Sequence, residues 1–143
     1  MKFTNEVVVN SNITFVANKV IDPDFLKICA GSNATFEVVS PLNNVGGKVQ
    51  VFHDFRGKKF LQEIETLRID LPSSLVTKST MSGTTFVEES SFKADGGKTI
   101  WTVTTNYKFS FFMNIFVKMF RKKAFELDSK NMLEQRKKIL EEL

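Results

Sequence analysis

Residues 109–143 read FSFFMNIFVKMFRKKAFELDSKNMLEQRKKILEEL, and this stretch decides the fold. It follows a series of short strand-like segments and predicts one long helix that begins at Phe109 and reaches Leu143. The first half of this helix carries more apolar bulk than a helix needs to dock on a sheet. In the second half, Leu127, Leu133 and Leu140 are predicted to lie on or beside a single buried stripe. A long terminal helix after a meander of strands predicts a sheet wrapped around that helix, and the surplus of Phe and Met indicates the lining of a cavity.

Upstream, one strand and two short helices are predicted. Residues 3–9 alternate between apolar and polar side chains, which is typical of a strand. Asn10, Ser11 and Asn12 end that strand and offer an N-cap to a helix through residues 15–20. Asp22-Pro23 places a capping carboxylate before a proline at the first helical position, and so predicts a second short helix that ends at Gly31.

Hairpin signals then recur between residues 33 and 108. The turn-forming pairs are rich in Asn and Gly, such as Asn43-Asn44, Gly46-Gly47 and Asp95-Gly96-Gly97. They separate six predicted strands, near residues 33–39, 47–55, 58–68, 74–81, 84–93 and 98–108. With the first strand, these make a seven-stranded antiparallel sheet in an α+β chain. No linker or internal repeat interrupts the pattern, so residues 1–143 are predicted to form a single domain.

Composition limits the chemistry that this chain offers. The sequence contains one cysteine, Cys29, which is interpreted as a small buried hydrophobe or, alternatively, as a catalytic thiol. It has no phosphate-binding glycine loop, no nucleophile elbow and no cluster of metal-ligating residues, so neither a cofactor nor a metal is expected. The first residues alternate like a strand and lack the long apolar run of a secretion signal, so we expect a cytoplasmic protein.

The net charge of +4 is concentrated in one short segment. Residues 108–123 contain five basic residues and no acidic ones, whereas the remainder of the chain is close to balanced. The cations alternate with Phe and Met, so Lys118, Arg121, Lys122 and Lys123 are predicted to contact an anionic membrane or an anionic ligand at a cavity mouth. The alternative is a solvated helix face. The patch is too small to predict nucleic-acid binding.

The order of these elements, with Asp22-Pro23 after the first short helix and an aromatic helix at the end, resembles the START-like or SRPBCC superfamily. That group includes polyketide cyclases/dehydrases, pollen-allergen-type carriers and lipid-transfer domains. The hairpin Asp95-Gly96-Gly97-Lys98-Thr99, followed by Trp101, Val103 and Tyr107, is similar to the final hairpin common there. The resemblance covers nearly the whole chain, and it implies a helix-grip fold in which a curved sheet and the last helix enclose an apolar cavity.

Alternation along each strand predicts which side chains face that cavity, because successive side chains point to opposite sides of a sheet. The alternative for most of them is plain hydrophobic core. The predicted ligand-binding residues of the strands are Val49, Val51, His53, Phe55, Phe60, Gln62, Ile64, Phe86, Glu88, Ser90, Phe92, Trp101, Val103, Thr105 and Tyr107. Those of the helix are Phe112, Phe116, Met119 and Phe120, which are spaced by three and four residues.

Two classes of function fit this pattern. The first is binding or transport of a hydrophobic small molecule, such as a lipid, an isoprenoid or a polyketide-like aromatic, which needs only an apolar cavity and a few polar groups. The second is a cyclase, dehydratase or hydrolase in which His53 or Glu88 acts as general base and Tyr107 donates a hydrogen bond to an oxyanion. With a single histidine and no catalytic motif, the sequence favours the first class.

Overall fold

The fold was analysed in a computed structural model, which describes residues 1–81, 83–109, 115 and 117–143, with only the backbone at Phe120. The first strand, β1, spans Lys2–Val9 and is followed by helices α1 (Ile13–Lys19) and α2 (Pro23–Ala30). Six strands come next: β2 (Ala34–Ser40), β3 (Lys48–Phe55), β4 (Lys58–Asp70), β5 (Ser74–Met81), β6 (Thr84–Asp95) and β7 (Lys98–Lys108). A π-helical turn, Val117–Arg121, then leads into the last helix, α3 (Lys122–Glu142).

The seven strands form one antiparallel sheet in the order β1-β7-β6-β5-β4-β3-β2. Every neighbouring pair from β2 to β7 is a hairpin, and β1 closes the series by pairing with β7. The sheet curves, and α3 packs against β1 and α2. The predicted α+β helix-grip architecture, with seven strands and two short helices after the first, is therefore confirmed.

The local signals for α1 and α2 act as the sequence predicts. Asn12 caps α1 through a hydrogen bond of 2.9 Å from the Phe15 amide to its side chain. Asp22 caps α2 by accepting from the Asp24 amide at 3.0 Å, with Pro23 at the first helical position. These caps satisfy amides that have no partner inside a helix. They also fix where α2 begins, and α2 covers one side of the space above the sheet.

The final hairpin sets the pairing register of β6 and β7. Asp95 pairs with Lys98 across a two-residue turn, and Gly96 and Gly97 both have positive φ angles, 52° and 73°. Such a turn matches the twist of the two strands and needs residues that tolerate positive φ. It places Phe92 opposite Trp101 and Phe86 opposite Tyr107, all on one face of the sheet.

The C-terminal segment differs from the prediction. Phe109 is not helical; its ring stacks on Tyr107 with centroids 5.9 Å apart and planes 4° apart. Residues 110–114 and 116, where the helix was predicted to begin, lie outside the described residues. The π-helical turn holds more residues per turn than an α-helix, so it shifts the phase of side chains around the axis. Two strands, β4 and β6, also extend two residues further than predicted, to Asp70 and Asp95.

The hydrophobic core occupies one end of the space between sheet and helices. Buried side chains of β1, α1, α2, β7 and α3 meet there, including Val9, Val16, Phe25, Trp101 and Leu140. Their burial releases water from apolar surface, which is the main force that stabilises the fold. The other end of the same space is not filled, and the site lies there.

Candidate functional site

A cavity of about 640 Å³ lies between the concave face of the sheet, α2 and α3. Its wall is mostly apolar, with polar groups at a few points. From the helices come Leu26, Cys29, Ala30, Phe125, Asp128, Met132, Gln135 and Arg136, and from the strands Phe36, Val51, His53, Phe55, Phe60, Gln62, Ile64, Met81, Phe86 and Tyr107. A volume of this size accommodates a drug-sized or lipid-like molecule.

Strand alternation accounts for the strand part of this wall. In β3 and β4, Val51 lies opposite Gln62 and His53 lies opposite Phe60, so these four side chains point to one side of the sheet. In β6 and β7, Phe86 lies opposite Tyr107 on that same side. The predicted face of these strands is thus the concave face, and eight predicted residues line the cavity: Val51, His53, Phe55, Phe60, Gln62, Ile64, Phe86 and Tyr107.

Three further predicted residues, Glu88, Ser90 and Trp101, lie deeper, around a second and much smaller chamber. This inner chamber has a volume of about 60 Å³. It shares Leu26, Gln62, Ile64 and Arg136 with the large cavity, so the two spaces adjoin. Side chains of Thr66, Thr77, Ser79 and Ser90 add hydroxyl groups to its wall. The site therefore consists of a wide apolar part and a narrow polar end.

The remaining predicted residues lie elsewhere. Val49, Phe92, Val103 and Thr105 are buried among other side chains and do not border the large cavity. The side chain of Met119 is 69% exposed, because the π-helical turn directs Val117 inward instead. Phe112, Phe116 and the side chain of Phe120 lie outside the described residues. Whether each predicted residue contacts a ligand stays a prediction.

A short hydrogen-bonded chain crosses the floor of the cavity. His53 Nε2 donates to Gln62 Oε1 at 2.8 Å, and Gln62 Nε2 donates in turn to Ser79 Oγ at 3.3 Å. The three side chains belong to neighbouring strands, β3, β4 and β5. Because the chain orients the amide and the imidazole, these polar groups are satisfied within the wall. They give the apolar cavity a fixed line of polarity along its floor.

The strongest electrostatic feature is an ion pair between α3 and β6. Arg136 Nη1 donates to Glu88 Oε2 at 2.7 Å, and Nη2 donates to Glu88 Oε1 at 3.2 Å. This is the bidentate geometry in which guanidinium and carboxylate interact most strongly. The two side chains are only 20% and 10% exposed, so water screens the pair weakly. Burial by itself opposes the charge on Arg136, but the Glu88 carboxylate outweighs that effect and raises the pKa of the guanidinium above its ordinary value.

The pair changes the interpretation of Glu88. Both carboxylate oxygens accept hydrogen bonds from Arg136, so the side chain acts as the counter-ion of a permanent cation. A general base must direct a carboxylate oxygen at the substrate, whereas here the bidentate pair directs both oxygens at Arg136, although each keeps a second lone pair. The geometry thus supports a positioning and recognition role for this corner of the cavity.

Tyr107 forms a second anchor between the sheet and α3. Its hydroxyl is 3.1 Å from Ser129 Oγ, which itself donates to the Phe125 carbonyl at 2.9 Å. Because the Ser129 proton is used in this way, Tyr107 is the donor to Ser129. The ring contacts Phe3, Phe86 and Phe125 at centroid distances of 6.1, 5.6 and 5.2 Å. Burial in this aromatic cluster raises the pKa of Tyr107, an effect that its hydrogen bond to Ser129 only partly offsets.

Cys29 lies on α2 at the cavity wall and is half-buried. Burial raises the pKa of its thiol, although the nearby positive charge of Arg136 acts in the opposite direction. A nucleophilic cysteine needs a lowered pKa. The structure therefore favours the interpretation of Cys29 as part of the apolar wall.

Sequence analysis did not single out Arg136 or Ser129. A signal was present: Ser129, Leu133, Arg136 and Leu140 are spaced by four, three and four residues, so they share one face of α3. Leu133 and Leu140 are buried, as predicted for the stripe that faces the sheet. An arginine on such a stripe predicts a buried partner, but the partner itself comes from β6 and is not visible in local sequence.

Another depression, of about 720 Å³, lies on the outer side of the β2–β3 region. Apart from His53 its lining residues are exposed, and most are polar or charged, among them Ser32, Asn33, Asp54, Arg56 and Lys59. It encloses no apolar interior and is less suited to a hydrophobic ligand than the cavity beneath α3. Within the described part of the chain, no three His, Cys, Asp or Glu side chains are grouped to hold a metal ion.

The chain is similar to several solved structures over almost its entire length. A protein from Chromobacterium violaceum shares 12% identity at a TM-score of 0.72, with 99% of this chain and 98% of that chain covered. A protein from Arthrobacter aurescens shares 15% identity at a TM-score of 0.76, with 99% and 87% covered. Ara h 8.0201 shares 13% identity at a TM-score of 0.70, with 99% and 95% covered. These likenesses show the fold.

No model of a known protein family matches the sequence, and no curated protein matches it. None of the described helices combines the length and the apolar character that crossing a membrane requires. The function must therefore be argued from the cavity itself.

Proposed function

We propose that this protein binds a hydrophobic small molecule of the lipid, isoprenoid or polyketide-like class in the cavity between its sheet and α3. The observation that carries the proposal is the cavity of about 640 Å³, walled mainly by Phe, Met, Leu, Ile and Val side chains. An apolar ligand there gains roughly 25 cal/mol per Å² of surface removed from water. The function is binding or transport without chemical change of the ligand.

Three features support binding over catalysis. Glu88 is held by Arg136, and the pKa values of Tyr107 and Cys29 are raised, which keeps both groups protonated near neutral pH. His53 is engaged with Gln62 at 2.8 Å. These four groups thus have a partner or a proton that suits hydrogen bonding to a ligand, and none of the four is arranged as a base beside a nucleophile.

Native mass spectrometry, followed by extraction under denaturing conditions, tests the proposal directly. The expected result is a defined extra mass that is released as one small apolar compound. The matched variants are Ala30→Trp, which places an indole in the cavity wall, and Ala94→Trp, which places one at an exposed position of the last hairpin. Ala30→Trp should lose the bound mass and Ala94→Trp should keep it. Retention of the compound by both variants would place its site outside this cavity.

We further propose that the basic segment guides the protein to anionic membranes, where a lipid ligand is exchanged. Lys118, Met119, Arg121, Lys122 and Lys123 are all exposed, so one short helical segment presents cations and an apolar side chain to solvent. Phe125, one turn further along α3, lines the cavity. A mixed basic and apolar surface of this kind favours adsorption to anionic headgroups.

Sedimentation with vesicles of phosphatidylcholine containing phosphatidylserine tests this surface. Binding should weaken as salt is raised, because the Debye length falls from about 10 Å at 0.1 M to about 3 Å at 1 M. Lys122→Glu/Lys123→Glu should abolish it, and Lys93→Glu/Lys98→Glu, with the same charge change at exposed sites of the final hairpin, should not. Equal losses in both double variants, or binding indifferent to salt, contradict a specific surface.

A further inference from the structure

We propose that the inner chamber receives the oxygen-bearing end of the ligand, and that this end is an uncharged hydrogen-bond acceptor such as a ketone, an ester or an alcohol. Trp101 and Arg136 are the donors. The inference rests on the proposed binding function and specifies its substrate class. It depends on three observations: the Trp101 N–H has no acceptor among the described residues, Arg136 has N–H groups that those residues leave unused, and the charges of Glu88 and Arg136 cancel in the chamber.

The unpaired donor is the indole N–H of Trp101. The side chain is 2% exposed and lines the inner chamber. Among the residues that the structure describes, none provides an acceptor for Nε1. An indole nitrogen only donates, and leaving a buried donor without a partner is destabilising. A group that brings an oxygen into the chamber satisfies it.

Arg136 supplies further donors on the wall of the same chamber. A guanidinium has five N–H groups. Its hydrogen bonds to described residues use three of them, two to Glu88 and one to the Met132 sulfur at 3.1 Å. The others are available to a second acceptor. Two different side chains thus offer donors to one small space.

The neutrality of the chamber selects the kind of acceptor. Glu88 already compensates the charge of Arg136, at 2.7 and 3.2 Å. A ligand carboxylate would add a second negative charge beside Glu88 in a buried space that water screens weakly, where like charges repel strongly. An uncharged oxygen gains the hydrogen bonds without that repulsion. Because the chamber measures only about 60 Å³, it admits a functional group of a few atoms and excludes a ring.

The large cavity and the inner chamber together fit a single ligand. Leu26, Gln62, Ile64 and Arg136 border both, so a molecule whose apolar body fills the large cavity can extend its end into the small one. The apolar part contributes affinity, and the hydrogen bonds at the inner end fix its orientation.

Three naphthalenes that differ only at one substituent test the inference by equilibrium dialysis: 2-acetylnaphthalene, 2-ethylnaphthalene and 2-naphthoate. Wild-type protein should bind the ketone more tightly than either the hydrocarbon or the carboxylate. Trp101→Phe removes the N–H and should weaken the ketone about five- to tenfold, the usual effect of one hydrogen bond, while the hydrocarbon changes less than twofold. The control Phe86→Leu, in the wall of the large cavity, should weaken ketone and hydrocarbon equally.

A second measurement needs no variant. Trp101 is the only tryptophan, so the protein has one indole N–H resonance in a ¹H–¹⁵N spectrum. Saturation with 2-acetylnaphthalene should move it downfield, and 2-ethylnaphthalene should not. An unmoved resonance with bound ketone, or tightest binding of 2-naphthoate, overturns the inference and leaves the proposed function standing. If none of the three compounds binds, the proposed function fails and the inference fails with it.

Discussion

At the scale of single residues, Glu88 and Arg136 place opposite charges where the fold excludes most water. Their geometry is bidentate, and only 10% and 20% of the two side chains is exposed. Such a pair is costly to desolvate, so it contributes little net stability compared with apolar side chains of similar volume. Removing one partner is a different matter, because it leaves the other charge buried and alone.

Glu88→Ala is therefore expected to lower the free energy of unfolding by about 3 kcal/mol, as is typical when one half of a buried pair is removed. The double variant Glu88→Ala/Arg136→Ala should lose much less than the sum of Glu88→Ala and Arg136→Ala alone. Urea unfolding followed by circular dichroism measures all four proteins. Simple additivity would show that the two side chains do not interact energetically. Glu126→Ala, on the exposed face of α3, serves as the control.

Tyr107 permits a second prediction at this scale, because it is the only tyrosine in the chain. Burial raises its pKa above the ordinary value of 10.0. Absorbance at 295 nm should therefore show half-ionisation at a higher pH than in N-acetyltyrosinamide under the same conditions. A midpoint at or below that of the free compound contradicts the buried hydroxyl.

The same shift affects stability in alkali. The folded state holds its proton more tightly than the unfolded state, so the contribution of Tyr107 is present below the unfolded pKa and is lost as the pH rises through the folded one. The free energy of unfolding should fall more between pH 9 and 11 in the wild type than in Tyr107→Phe. That difference isolates Tyr107 from the lysines, which titrate in both proteins.

At the scale of elements, the loop between β2 and β3 is bound tightly to the bulge in β4. The Gly46 amide donates to the Thr66 carbonyl at 2.8 Å, and the Thr66 amide donates to the Gly47 carbonyl at 2.9 Å. Thr66 also donates through Oγ1 to the Leu42 carbonyl at 2.7 Å. Since Leu42 and Thr66 line the inner chamber, this loop forms part of its wall.

Gly47 makes that contact possible. A Cβ atom at this position would lie 1.9 Å from the Pro41 carbonyl oxygen, which belongs to the backbone and cannot turn aside. Gly47→Ala should therefore move the loop and lower the free energy of unfolding by about 2 kcal/mol or more, in the range of substitutions that strain the backbone. Val45→Ala, at an exposed site of the same loop, should change it by less than about 0.5 kcal/mol. Thermal unfolding of the two variants decides between these outcomes.

The buried face of α3 was predicted only in part from the sequence. Leu127, Leu133 and Leu140 were predicted on or beside its buried stripe, yet Leu127 is 56% exposed. Ser129, Leu133, Arg136 and Leu140 form the buried line instead. Hydrophobicity alone predicts that the leucines form the buried line. The helix instead presents to the sheet the face that carries Ser129 and Arg136, the partners of Tyr107 and Glu88.

At the scale of the whole molecule, the uncommon side chains converge. The chain contains one His, one Cys, one Trp and one Tyr, and all four line the large cavity or the inner chamber. Each is therefore a unique reporter of the site. Three separate elements, α2, β3 and β7, contribute them.

A ligand in this space should stabilise the entire fold, because the unfolded chain has no cavity. At a free concentration one hundred times its Kd, 2-acetylnaphthalene is expected to add about 2.7 kcal/mol. For a chain of this length that corresponds to a rise in Tm of roughly 5–10 °C, measured by scanning calorimetry. Ala30→Trp should show little or no rise, and Ala94→Trp should respond like the wild type. A rise of the same size in Ala30→Trp places the ligand elsewhere.

The sequence by itself determined the strands, the turns, the caps of α1 and α2 and the face that each strand presents. These follow from contacts within a few residues: the two-residue period of a strand, the positive φ of Gly96 and Gly97, and the hydrogen bonds of Asn12 and Asp22 to nearby amides. The family resemblance, with its terminal helix, also led to the helix-grip architecture.

Only the tertiary structure decided which polar groups meet across the site. Glu88 and Arg136 are 48 residues apart, and Tyr107 and Ser129 are 22 apart. Their pairing depends on how α3 is rotated and positioned above the sheet, and that depends on the packing of Val117, Leu133 and Leu140 rather than on any local pattern. The environment of the Trp101 N–H, which has no acceptor among the residues that the structure describes, arises in the same way. Local periodicity specifies directions of side chains, whereas their partners are set by contacts between distant segments.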